Sequence, residues 1–122
     1  MQCPSCFKFT GPQLEQPTVE DGPEIGFDGI CKLEVRVQRC CKHCQLALQE
    51  GSISIEVPTV LKDESVGINI GEVEVHGEQR LQGKAMIIRV WGTVEATQLT
   101  TPPMTLTVNF SKEMPVSELE RI

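Results

Sequence analysis

From residue 31 the chain alternates between apolar and polar positions. In CKLEVRVQR, Cys31, Leu33, Val35 and Val37 alternate with Lys32, Glu34, Arg36 and Gln38, the period of a strand with one buried face. After RCCKHC at residues 39–44 the pattern returns: Gly51 punctuates QLALQEGSISIEV, and Ile53, Ile55 and Val57 alternate with Ser54 and Glu56. Strand, cysteine-rich turn and returning strand predict a hairpin with RCCKHC at its tip. Pro58 ends that unit. Beyond it Val66, Ile68 and Ile70 alternate, as do Val73 and Val75; AMIIRVWGTVEA is a longer apolar run; and Met104, Leu106, Val108 and Phe110 alternate with Thr105, Thr107 and Asn109. Gly71, Gly77, Gly83, Gly92 and Pro102-Pro103 are the expected turns. Several short strands at this spacing predict an all-β chain, a hairpin joined to a small antiparallel sandwich or barrel.

Two stretches break the pattern. Residues 10–29 (TGPQLEQPTVEDGPEIGFDG) are rich in Pro, Gly and acids with no sustained period, so they are expected to be loop. Near the end, Ser117-Glu118-Leu119-Glu120 has capping-box spacing after Pro115, but so few residues follow that a frayed tail is expected. The expected division is residues 1–57, with the cysteines and the long loop, and residues 58–122, the β body, which at this length can also form one compact unit.

Composition narrows the function classes. With 4% aromatics, one Trp and no Tyr, the core must come from Val, Ile and Leu. Net charge is -6, and four thiolates with one Zn²⁺ would take it to -8. Such a chain lacks the broad basic field of non-specific nucleic-acid binding. A local basic segment remains in Lys32, Arg36, Arg39, Lys42 and His43. No stretch approaches the roughly 20 apolar residues of a membrane span. MQCPSCFKFTGPQ has no apolar run of a secretory type, so a reducing, cytoplasmic setting is expected.

In that setting clustered cysteines point to metal or redox chemistry before disulfides. Cys3-Pro4-Ser5-Cys6 and Cys41-Lys42-His43-Cys44 are both C-x-x-C, a spacing that lets two sulfurs of one tight turn reach the same ion. Two such pairs make a tetrahedral four-thiolate site, with zinc expected ahead of iron, which takes the same ligands. Cys40 is the alternative to Cys41, and His43 a further one. Cys31 falls on the apolar face of its strand and reads as a small core residue. Disulfides among the six cysteines and a redox dithiol are the competing chemistries.

CPSC and CKHC, separated by a loop and a strand, resemble the paired knuckles of zinc-ribbon proteins over roughly residues 1–57. The resemblance implies Cys3 and Cys6 as the first ligand pair and Cys41 and Cys44 as the second, around a structural zinc whose removal unfolds that half. Family knuckles often place Gly after the second cysteine; this chain has Phe7 and Gln45 there.

Enzymatic patterns are thin. His76-Gly77-Glu78 has the form of a deaminase H-x-E, but both C-x-x-C pairs precede it, the reverse of that order. GEQRLQGK at 77–84 has the wrong glycine spacing for a P-loop and is followed by Ala85. The expectation is a non-catalytic zinc-binding module that presents a protein-binding surface. The alternative is nucleic-acid binding through the basic segment at the second knuckle, and exposed sheet edges leave dimerisation open.

Overall fold

The computed structural model describes residues 2–9, 11–25, 29–59 and 67–122; Val66 of the expected alternation, and residues 10 and 26–28 of the expected loop, lie outside them. The fold is all β: β1 (Gln13–Leu14), β2 (Thr18–Ile25), β3 (Ile30–Cys40), β4 (Ala47–Pro58), β5 (Ile68–Gln82), β6 (Ala85–Gln98), β7 (Met104–Pro115) and β8 (Glu120–Arg121).

The β3–β4 hairpin falls where the alternation places it, in register from Ile30 opposite Pro58 to Arg39 opposite Gln49. It slips once, so that Cys40 faces Ala47, and residues 41–46 form the tip. β1 and β2 pair along the other edge of β3, and β8 pairs with Gln49 and Glu50 of β4. The remaining strands form a second sheet, the antiparallel meander β5-β6-β7.

Two expectations change here. Within the stretch expected to be loop, residues 13–14 and 18–25 are strand. The free edge of β3 supplies the main-chain partners, and Pro23 is tolerated because it lies where the register shifts, between Glu20 and Glu24. The C-terminal stretch is not frayed: a 3-10 turn at Val116–Glu118 leads into β8, and Leu119, 7% exposed, covers Gly51. Burial of that one side chain fixes a segment whose helix signal came to a single turn.

Most of the glycines expected as turns lie inside strands. Only Gly83, at φ 62, turns the chain, in the two-residue connection of β5 and β6. Gly71 sits at the shift between Ile70 and Val73 that bends β5. Gly77 lets Pro17 and Leu14 lie against β5, and a Cβ on Gly92 would run into the Glu74 carbonyl and Phe110. At Gly92 the β5 backbone approaches too closely for any side chain.

The inner faces of the two sheets share one core. Cys31, Leu33, Val35 and Val37 of β3 and Ile53, Ile55 and Val57 of β4 meet Val75, Ile88, Val90, Val94, Phe110 and Met114 of the second sheet. A separate, smaller cluster of Cys3, Cys41 and Leu48 with Cys6 packed against it marks the cysteine end of the molecule.

Candidate metal centre

Each cysteine pair sits on a tight turn, and the two turns are built alike. In the first, the Cys3 amide donates to the Lys8 carbonyl and the Phe7 amide to the Cys3 carbonyl, both at 3.0 Å. In the second, the Cys41 amide donates to the Leu46 carbonyl at 2.9 Å and the Gln45 amide to the Cys41 carbonyl at 2.8 Å. Closing this loop requires a left-handed residue after the second cysteine. Phe7 has φ 60 and Gln45 φ 63, the positions where zinc-ribbon knuckles often carry glycine. Here non-glycine residues hold the same turn geometry at the cost of strain.

The hairpin brings the second turn to the first. The sulfurs of Cys3, Cys6, Cys41 and Cys44 all lie within 4.8 Å of one another, with Cys3 and Cys44 at 3.5 Å and Cys6 and Cys41 at 3.8 Å. A zinc tetrahedron with Zn–S of about 2.3 Å has edges of about 3.8 Å, so the donor set fits an ion of that size. A disulfide, by contrast, holds its sulfurs about 2.05 Å apart, and all six cysteines are free thiols here.

The electrostatics favour a cation. Cys41 is pulled down to about 6, first by the Cys44 amide and also by that of His43. Cys3 is lowered in the same way, by the amides of Cys6 and Ser5. Cys44 behaves oppositely: the Leu46 amide pulls its thiol down, but burial and the three surrounding sulfurs outweigh it and push the thiol up to about 11. Thiolates form readily at two corners, while the fourth proton resists leaving into a crowd of like charge. A divalent ion at the centre removes that resistance. Four sulfurs also fill a tetrahedron, which leaves no open position for substrate or water.

Comparison with protein-family models, with curated proteins and with solved structures finds no match. The geometry therefore stands on its own.

The other residues singled out in the sequence fall away from the cluster. Cys40 is buried outside the four-sulfur group, its thiol pushed up by burial and by the Glu15 carboxylate beside it. Cys31 is fully buried in the main core, and burial raises its thiol as well. His43 is exposed and offers the cluster only its backbone amide, 3.4 Å from the Cys41 sulfur.

The basic segment is not one surface. Arg36 pairs with Glu50 at 2.8 Å on the outer face of β3, Lys32, Lys42 and His43 are exposed, and Arg39 is 7% exposed. Its guanidinium donates to the side-chain carbonyls of Gln49 and Gln79 and to the main-chain carbonyl of Pro12. One residue thereby ties together the segment after the first knuckle, the strand after the second, and the second sheet. The alternation carried this signal: Arg39 continues the series Cys31, Leu33, Val35, Val37 on the inner face. Its place among basic neighbours had suggested the surface.

Proposed function

We propose that this chain is a non-catalytic interaction module, built around a structural zinc bound by Cys3, Cys6, Cys41 and Cys44, whose β body and knuckles present a surface to a protein partner. The observation that carries this reading is the closed set of four thiols on two matched turns. Such a site holds the chain together and has no vacant position for chemistry. Zinc is preferred to iron as the common occupant of paired knuckles, and a reducing cytoplasmic setting keeps the thiols available. Thiol redox activity would instead need an activated sulfur free of metal.

The test is removal of the ion. Because the binding energy of structural zinc is folding energy, a strong chelator is expected to lower the melting temperature of the purified chain sharply, with restoration by added zinc. An unchanged melting curve would remove the structural-zinc reading.

A second reading, nucleic-acid binding at the second knuckle, draws support from the exposed Lys42, His43 and Phe7. It predicts a probe shift that weakens steeply with salt. The burial of Arg39 and the pairing of Arg36 reduce the cations it can use.

A further inference from the structure

Phe7 combines two features that work against the stability of the chain. Its backbone sits at φ 60, where a bulky side chain is strained and glycine is at ease. Its side chain is 71% exposed, so no burial within the molecule offsets the strain. Strain of this kind persists at places where the residue has a use outside the fold. Two positions on, Phe9 is 79% exposed, and Leu46, which stands in the second knuckle where Lys8 stands in the first, is 40% exposed. Three large apolar side chains thus crown the two turns that the sulfurs draw together.

Charge around them is segregated. Residues 2–9 and 41–46 contain no Asp or Glu, in a chain that has 17, and they carry Lys8, Lys42 and His43. All three are exposed and belong to none of the ion pairs among the described residues. Arg36, Arg80 and Arg89, in contrast, each have a glutamate partner.

We infer that the knuckle surface of Phe7, Phe9 and Leu46, with Lys8 and Lys42, docks a short acidic peptide segment of a partner protein. Large apolar side chains of that segment cover the phenylalanines, and its carboxylates meet the lysines. This rests on the interaction-module reading and gives that module its contact surface. Charge selects the occupant. A nucleic-acid strand also stacks on aromatic rings, but its phosphates need a continuous run of cations. Here two lysines stand beside a thiolate-metal centre in a chain of net charge -6. One or two carboxylates match that supply, whereas a polyanion is repelled by the rest of the molecule.

Phe7 and Gln45 allow a test in which stability and binding move apart. The zinc-loaded full chain is selected against a random-peptide library. Binding of the selected peptides, and of a labelled short oligothymidylate, is then measured for the wild type, Phe7→Gly, Phe9→Ser, Lys42→Glu and Gln45→Gly, with zinc content and melting temperature recorded for each. The selected peptides are expected to be rich in Asp and Glu together with large apolar residues. Phe7→Gly and Phe9→Ser each weaken binding by about tenfold or more, and Lys42→Glu also weakens it. Gln45→Gly, which relieves the same strain on the other knuckle, leaves affinity within about twofold. Phe7→Gly raises the melting temperature while it lowers affinity, the signature of strain retained for contact. Peptides that bind Phe7→Gly and Phe9→Ser as well as wild type would overturn this surface and leave the interaction module standing. Failure to select any peptide would remove both. Oligothymidylate binding that Phe7→Gly abolishes, with no peptide competing for it, would assign the surface to nucleic acid and overturn the proposal.

Discussion

A single side chain distinguishes the two knuckles, because Phe7 and Gln45 occupy the same left-handed position with φ 60 and 63. The left-handed backbone costs a non-glycine residue about 1–2 kcal/mol, and the extra freedom glycine gains when unfolded returns about 0.5–1 kcal/mol of that. Gln45→Gly and Phe7→Gly should therefore each stabilise the zinc-loaded chain by about 0.5–1 kcal/mol in chemical denaturation. Arg39 presents the opposite case. Its replacement by Met leaves the side-chain carbonyls of Gln49 and Gln79 without the guanidinium donor, while the Pro12 carbonyl keeps the Gln79 amide, a loss of about 2–4 kcal/mol. Arg39→Lys should recover only part of it, since one ammonium cannot reproduce the planar fork. The sulfurs themselves predict a pH dependence. A thiol held low in the folded chain, as Cys41 is at about 6, contributes stability above its unfolded value near 9 and loses it as pH falls toward 6. Cys44, pushed up to about 11, contributes below 9 and loses it as pH rises. Metal-free protein should thus melt highest near pH 9 and lower on either side, while zinc-loaded protein should lose stability more steeply as pH falls from about 9 to about 6, because the four thiolates that hold the ion take up protons on unfolding. At this scale the clustering of Cys3, Cys6, Cys41 and Cys44 was legible, because C-x-x-C carries its geometry in its spacing. Arg39 was legible only through parity, which its charged neighbours masked.

Among the elements, β3 and β4 could be read directly from alternation, since each has one face against the core and one against solvent. β1 and β2 could not. Each has too few inward apolar residues to show a period, and each is held by main-chain bonds to the free edge of β3, which no side-chain pattern records. The interior glycines misled for a related reason: a close approach of a neighbouring strand, as at Gly92, or of packed side chains, as at Gly77, demands the same residue as a turn. Gly92 makes the distinction testable. A methyl group there meets the Glu74 carbonyl, which is backbone and cannot rotate aside, so Gly92→Ala should destabilise the chain by more than about 2 kcal/mol, read from its denaturation midpoint. Gly83, whose Cβ position is open but whose φ is 62, should lose only about 1 kcal/mol as Ala.

Across the whole molecule, the zinc ribbon that the first half resembles is not free-standing. Its hairpin supplies Leu33, Val35, Val37, Ile53, Ile55 and Val57 to a core completed by the second sheet, and Arg39 reaches Gln79 of that sheet from beside the second knuckle. Loss of the ion is therefore expected to lower the stability of one cooperative unit, beyond residues 1–57 alone. The central claim is that Cys3, Cys6, Cys41 and Cys44 hold one structural zinc, and X-ray absorption at the zinc edge on the purified full chain tests it most directly. The predicted spectrum has one zinc per chain with a first shell of four sulfurs at about 2.3 Å. A shell containing nitrogen or oxygen, or protein that purifies and folds without zinc, would contradict the account.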